Sequence, residues 1–303
     1  MSIEELRILL RESSKDVSEE FKRLFHGRGG IYDGFKYLTI DSIDEVLSVA
    51  LFAKDEAEKE LLLMLKEFIT TSRYKTLVVQ RRYEQGSVSE VLVGELDENL
   101  YALENGMKFK LNLLSNQNSY YFADMKNGRA FVRENAKDKR VLNLFSYTCA
   151  FSVAAKLGGA QSVSNIDMSK ASLLIGEANH HLNKIEPRGV SYLPHNILKS
   201  FSKIKQNSPY DLIIIDPPTF QRGSFEASKD YEKIVKKLSQ IASDDCLVLA
   251  CLNSTELDCE FIINLFKEFA PEFSFVKRLD NVKEFANFDE QKSLKNLLFY
   301  HTH

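Results

Sequence analysis

Apolar positions recur at helical spacing from the start of the chain (Leu6, Leu9, Leu10, Val17, Phe21, Leu24, Phe25) and predict a helix over 2–25. His26-Gly27-Arg28-Gly29-Gly30 then breaks the pattern. An apolar run over 44–53 reads as a strand, and 55–71 reads as an amphipathic helix. Two β-patterned runs, 75–83 and 88–95, flank Glu84-Gln85-Gly86-Ser87, which is a hairpin signal. Strands at 107–114 and 119–123 and a helix over 126–136 are expected next. From residue 140 the pattern changes to strand–helix alternation. Strands are predicted at 141–145, 162–166, 190–193, 211–215, 246–252, 273–279 and 295–300, with helices at 149–157, 169–183, 196–206, 226–242 and 256–269. The run 211–215 is apolar after its first residue, as a central parallel strand covered on both faces should be. Alternating units of this kind predict an open parallel sheet with helices on both faces.

At 303 residues the chain is long enough for two domains. The expected segments are a helical or mixed 1–72, a β-rich accessory part at 73–136, and an α/β domain at 137–303. Forty Lys and Arg against 43 Asp and Glu exclude a basic coat, so any nucleic-acid contact needs a local patch. The four cysteines form no C-x-x-C pair, and the six histidines show no i, i+4 pair. His180 and His181 are adjacent on a predicted helix, where neighbours point apart. No metal site is expected. Two early acids exclude a signal peptide at the start, and no apolar run approaches the ~18 residues of a membrane span. A soluble, cytoplasmic protein is expected.

In parallel sheets ligands lie beyond the carboxyl ends of the strands, so residues just after each strand carry the chemistry. After the first comes Ser146-Tyr147-Thr148-Cys149-Ala150, opening a helix whose N–H groups can hold an anion. It lacks G-x-G-x-x-G, which argues against a dinucleotide and suits a ligand anchored by a carboxylate, such as S-adenosylmethionine (SAM). After the second strand Asp167, 22 residues beyond Phe145, is placed to accept ribose hydroxyl protons or to cap the next helix; Ser169 is an alternative cap. After the third, Asn196 reads equally as an amide for an adenine edge and as a helix cap. After the fourth comes Asp216-Pro217-Pro218-Thr219-Phe220. The proline pair has no N–H donors and stiff φ angles, so it makes a rigid turn with free carbonyls, and Phe220 can stack on a flat base. A plain strand-ending turn is the alternative.

Together these residues resemble class I SAM-dependent methyltransferases, and within them the bacterial 23S ribosomal RNA large-subunit family with its cytosine-C5 and guanine-N7 branches. Residues 141–148 (VLNLFSYT) are similar to its first motif, Ile166-Asp167-Met168-Ser169 to its ribose motif, and 216–220 (DPPTF) to its catalytic loop. Residues 116–124 (NQNSYYFAD) with 127–129 (NGR) resemble the segment that closes over SAM. The likeness runs from about residue 75 to 300 and implies a Rossmann-like, seven-stranded α/β core with a smaller N-terminal α+β domain. It implies that Phe145, Ser146, Tyr147 and Thr148 line the methionine end of SAM. Asp167 would hold the ribose, with Met168 beside the adenine, Asn196 at its amine and Asp124 closing the pocket. The chain departs from the family in having Asn196 where Asp is usual, Cys149 where Gly is frequent, and Lys126 where Arg is common.

The receiving atom stays open. Guanine N7 needs no base, an exocyclic amine benefits from a carbonyl or carboxylate acceptor such as Asp216, and cytosine C5 needs a cysteine that adds to C6. Cys251 is the candidate thiol, one position off the C5 pattern; a buried strand cysteine is the other reading. Asn253-Ser254-Thr255-Glu256 lacks the basic pair of the N7 branch. Ribosomal RNA is the expected substrate, with a homodimer left open. The rival readings are a protein or small-molecule methyltransferase and a non-catalytic SAM- or RNA-binding module. Arg81-Arg82, in a hairpin, is either a phosphate contact or a solvated face, and the loop 26–30 is either a mobile basic loop near the substrate or only a helix-ending turn.

Overall fold

A short strand, β1 (Lys22–His26), stands where the sequence pattern predicts the end of a long first helix. The computed structural model describes residues 1–15, 17–114 and 118–301, which fall into two units: 1–123 with 282–290, and 124–281 with 291–303. In the first unit α1 (Ile3–Ser13) begins at a capping box between Ser2 and Glu5 and buries Leu6 and Leu10. It ends at residue 13. Leu24 and Phe25 can both point inward from β1 because Leu24 is an extra residue in the pairing with β2 (Leu38–Ile43), a β-bulge. The bulge imitates helical spacing, which is why periodicity misreads this stretch.

The expected strand at 44–53 is a hairpin arm: β2 turns through Asp44 and Glu45 into β3 (Val46–Leu51). From β3 the chain crosses over through α2 (Glu58–Thr70) to β4 (Thr76–Arg81), parallel to β3, and returns along β5 (Val88–Val93). The order is β1-β2-β3-β4-β5. Leu61, Leu65 and Phe68 of α2 pack with Leu6 and Leu10 onto Leu38, Ile40, Val49 and Val79. The expected boundary at 72/73 therefore falls inside one crossover, and both sides share one sheet and one core. β6 (Tyr101–Glu104) and β7 (Met107–Lys110) form a hairpin across Asn105-Gly106, both at positive φ, a turn signal that the apolar pattern did not bring out. The predicted strand at 119–123 does not form.

The second unit opens with α3 (Lys126–Asn135). Then β8 (Arg140–Leu144), α4 (Ala150–Leu157), β9 (Ser162–Ile166), α5 (Lys170–Leu182), β10 (Val190–Leu193), α6 (Phe201–Lys205) and β11 (Tyr210–Ile215) alternate as expected. A small hairpin, β12 (Phe220–Gln221) with β13 (Phe225–Glu226), precedes α7 (Ala227–Val235). β14 (Ala242–Leu252), α8 (Cys259–Phe269), β15 (Phe273–Arg278) and β16 (Lys295–His301) complete it. The expected helices at 196–206 and 226–242 are shorter, because β14 starts as early as Ala242 and α6 spans five residues.

The seven-stranded sheet runs β10-β9-β8-β11-β14-β16-β15, with β16 antiparallel to both neighbours. Along β11, Leu212 and Ile214 enter the core on one face, and Ile213 and Ile215 the core on the other. This explains the continuous apolar run. Strand order reverses between β8 and β11, so a ligand crevice lies beyond their carboxyl ends. This is a Rossmann-like α/β core. No helix among the described residues is long and apolar enough to cross a membrane.

Candidate active site

The turn after β8 is the most constrained backbone in the second unit. Phe145, Tyr147 and Cys149 all take positive φ (57°, 46° and 59°), a conformation that costs any residue with a Cβ. Long-range contacts hold it there. Ser146 N–H donates to Ile166 O at 3.0 Å, and Asn179 Nδ2 donates to Thr148 O at 2.9 Å. Phe145 packs edge-on against Phe225, with ring centroids 4.9 Å apart. Cys149 fits because α5 has a glycine opposite: a Cβ on Gly176 would sit 2.4 Å from the Cys149 sulfur. The Cys149 thiol is buried, and that burial pushes its pKa well up, so it is a packing group.

Asp167, at the end of β9, faces this turn. One carboxylate oxygen accepts from Tyr147 N–H at 2.9 Å and the other from Ser169 N–H at 2.8 Å. The carboxylate is thus aimed, and each oxygen keeps acceptor capacity for a ligand hydroxyl. Ser169 itself caps α5 through Ser172 N–H, so the cap and the carboxylate are separate residues. Asn196 caps a turn rather than a helix, since α6 begins only at Phe201: its Oδ1 accepts from Lys199 N–H at 3.0 Å, while its Nδ2 lies 3.4 Å from the Met168 sulfur. Met168 is half exposed, so a flat group can pack on it.

Beyond β11, Asp216 stands partly covered, with Pro217 buried and Pro218 exposed. Burial pushes the Asp216 carboxyl up to about 7; the like charge of Asp124 adds to this, and the Arg129 guanidinium opposes it. Thr219 Oγ1 donates to Asn253 O, and Thr219 O accepts from Ala227 N–H at 2.9 Å, which ties the loop to the ends of β14 and α7. Phe220 is 65% exposed. Cys251 is fully buried in β14, packed in the core with Leu249 and Leu298, and burial with Asp216 and Asp124 nearby drives its thiol well above the ordinary range. Asn116 and Gln117 of the closing segment lie outside the described residues.

Several residues that position this site have no motif to announce them. The buried Tyr231 hydroxyl donates to Cys251 O at 3.2 Å and lies 3.4 Å from Ile215 O, joining the ends of β14 and β11. Behind the β8 turn runs a buried chain in which Asn143 Nδ2 donates to Asn165 Oδ1 and Asn165 Nδ2 to Ser152 Oγ. Ser152 Oγ in turn meets His180 Nε2, each at 2.9–3.0 Å. Arg129, almost fully buried, was part of the closing-segment likeness but had no role assigned. Among the described residues no cluster of His, Cys, Asp or Glu could hold a metal ion.

A family model for S-adenosylmethionine-dependent methyltransferases matches residues 22–300. The chain belongs to the SAM-dependent methyltransferases. A Bacillus subtilis protein, YwbD, provisionally named a ribosomal RNA large subunit methyltransferase, is 30% identical to this methyltransferase over 294 residues. The match covers 91% of this chain and 73% of that protein. Ribosomal RNA large subunit methyltransferase K/L of Shewanella oneidensis is 32% identical over 216 residues, 69% of this chain but only 30% of that longer protein. The crystal structure of SMU.776, provisionally a methyltransferase and complexed with SAH, superposes with a TM-score of 0.88. It is 25% identical, over 99% of this chain and 82% of the other. SAM is accordingly the cofactor of this methyltransferase.

The residues present fit that group. Ser146 Oγ is buried in the turn where the methionine end is expected, with only the weakly bonding Cys149 thiol beside it. A buried hydroxyl left unpaired costs about 1–3 kcal/mol, and a ligand carboxylate or amine would satisfy it. The first N–H groups of α4 start beside it and favour an anion.

Proposed function

We propose that this methyltransferase modifies a nitrogen of a base in ribosomal RNA. The observation that carries the reading is Asp216, a carboxyl drawn up to about 7 at the end of β11 and followed by a rigid Pro217-Pro218 turn and an exposed Phe220. Bound SAM supplies an electrophilic methyl on a sulfonium. Phe145, Ser146, Tyr147 and Thr148 hold its methionine end, Asp167 the ribose hydroxyls, and Met168, Ser169 and Asn196 the adenine side; Asp124 closes the pocket.

On the other side of the crevice the side chains handle the base. Phe220 offers an exposed ring for stacking. Pro217 and Pro218 carry no N–H, so neither competes with a base amine for the carbonyls of the Asp216–Pro218 turn. Once ionised, Asp216 accepts a proton from an exocyclic amine as that nitrogen becomes a nucleophile. A pKa near neutral suits this, since the group is both a competent base and substantially ionised at working pH. Chemistry at cytosine C5 requires a thiolate that reaches the ring, and Cys251 lies sealed in a strand with its pKa raised, so it has no place in the mechanism. Ribosomal RNA is supported by the names of the relatives, and the cytoplasm is where such a substrate would be met.

Tritium transfer from labelled SAM to ribosomal RNA from a deletion strain tests this. Wild type should label the RNA. Asp216→Ala should lose at least ~100-fold in rate while still binding SAM by calorimetry, and Cys251→Ser should stay within about threefold of wild type. Loss of labelling in Cys251→Ser, with its fold intact, would move the target to carbon. Absence of labelling by wild type that binds SAM would remove RNA as substrate.

A further inference from the structure

Parallel strands β3 and β4 end side by side, with Leu51 opposite Arg81, so the next residues, Phe52 and Arg82, are neighbours. Arg82 lies over the Phe52 ring, its guanidinium carbon 4.9 Å from the centroid, and Arg28 lies over the same ring at 4.0 Å. The two guanidiniums are therefore within about 9 Å of each other, inside the ~10 Å Debye length at 0.1 M salt. Their repulsion is only partly screened. Arg23 adds a third positive charge nearby, and burial together with these neighbours lowers the pKa of both Arg28 and Arg82. Burial, Arg23 and Arg28 also push His26 down to about 4, so it is neutral, and its Nδ1 accepts from Arg23 at 2.8 Å.

The nearby acids do not neutralise the pair. Asp41 is taken by Arg23 in a two-pronged contact. Asp33 and Asp55 line the same cleft, of about 700 Å³, with Arg28, Lys36, Phe52 and Lys54. Neither is in ion-pair contact with Arg28 or Arg82, and Asp55 Oδ1 accepts from Ala57 N–H at 2.9 Å. Among the described residues Arg28 makes no hydrogen bond or ion pair, and Arg82 makes a single hydrogen bond, to Asn118 Oδ1 at 3.3 Å. Their remaining N–H donors are unspent.

This arrangement is built rigidly. Gly27 and Gly29 flank Arg28, and a Cβ at either would lie about 2 Å from a carbonyl oxygen, that of Phe35 or Ala286. The turn carrying Arg28 is wedged in place by the two close approaches that glycine allows. Two arginines from loops some fifty residues apart are held on one ring with donors to spare. A planar guanidinium with free N–H groups pairs with the oxygens of a phosphate.

We propose that Arg28 and Arg82, held on Phe52, clamp a phosphodiester of the RNA strand this protein binds, an inference that rests on the proposal of an RNA substrate. Phe52 acts as the positioning residue, and Lys36 and Lys54 extend the positive edge. This gives one contact site to Arg28 and Arg82, which the sequence offers as separate basic features.

The test is fluorescence anisotropy of a labelled 12-nucleotide RNA against the full chain over a range of KCl, with inorganic phosphate as competitor. Arg28→Ala and Arg82→Ala should each weaken binding roughly five- to tenfold and reduce the log–log salt slope by about 0.7. Phe52→Leu should weaken binding while leaving the slope near that of wild type, because no charge is lost. Hydrogen-exchange protection of the β2, β3 and β4 amides should be unchanged in all three, which excludes misfolding of the first unit as the cause. Unchanged affinity and slope in the Arg28→Ala/Arg82→Ala double variant would overturn the clamp, as would absence of RNA binding by wild type. Displacement of the RNA by millimolar phosphate at constant ionic strength would reassign the site to free phosphate. The tritium assay separates the two readings. If RNA is labelled but the variants bind normally, only the clamp falls. If the variants lose RNA affinity and wild type labels no RNA, only the substrate reading falls.

Discussion

Asp216 sets the pH behaviour expected of the reaction. Its carboxyl is raised to about 7, so the protonated form dominates below that value and the ionised base accumulates as pH rises through it. With saturating substrates, kcat should climb between about pH 6 and 8 and then level off. Asp124→Asn removes the like charge that adds to the shift, so the rising limb should move to lower pH, and an unmoved limb would show that Asp216 is not the titrating base. The same shift has a cost in stability. An acid with a raised folded pKa contributes most when protonated, and stability falls as pH rises from about 4 to 7. Asp216→Asn should therefore melt higher than wild type at pH 8 while losing turnover. A second residue-scale prediction concerns Cys149 and Gly176. A Cβ on Gly176 would meet the sulfur at 2.4 Å, so Gly176→Ala should destabilise by on the order of 1–3 kcal/mol. Cys149→Gly should remove most of that penalty, because the sulfur is gone and φ of 59° suits glycine. Urea midpoints of the two single variants and the double variant give the coupling, and simple additivity would refute it.

At the scale of elements, the strand ends were legible because the rule for parallel sheets assigns a place to a residue once its strand is recognised. Asp167 and Asp216 follow β9 and β11 directly and Asn196 stands three residues past β10, and pattern alone identifies those strands. Local imitation defeated the reading elsewhere. A bulge at Leu24 copies helical spacing, and the hairpin at Asn105-Gly106 was signalled by a dipeptide that the apolar pattern around it obscured. The supporting contacts were not legible at all, since they join positions far apart in the chain. Ser152, Asn165 and His180 form one buried chain only after α4, β9 and α5 are packed. Tyr231 looks like a core aromatic of an amphipathic helix. Its hydroxyl nevertheless bridges the carboxyl ends of β11 and β14, the strands that carry Asp216 and the loop at Asn253. Tyr231→Phe keeps the packing and removes the bridge, which should cost about 1 kcal/mol of stability. Because the ends of both strands would loosen, kcat should fall further than SAM affinity; an equal fall in both would make Tyr231 a simple core residue.

On the scale of the whole molecule, each unit has its own apolar core. In the first, α1 and α2 cover the five-stranded sheet, and in the second, both faces of the seven-stranded sheet are covered. The chain nevertheless passes between the units three times, because residues 282–290 belong to the first while both flanks belong to the second. Phe285 in that segment meets Arg23, whose guanidinium lies 4.5 Å from the ring centroid. Separate cores predict separate opening, whereas the shared segment predicts some coupling, and hydrogen exchange can weigh the two. The proposed cofactor residues all belong to the second unit, so SAH should stabilise that unit. A ligand at a hundred times its Kd stabilises the state that binds it by about 2.7 kcal/mol. Amides of β8 and β11 that exchange only through full opening of that unit should then slow by about 100-fold. Amides of β2, β3 and β4 should keep their rates, because none of the proposed cofactor residues lies in their sheet. If they slow by the same factor, the two units open as one cooperative body.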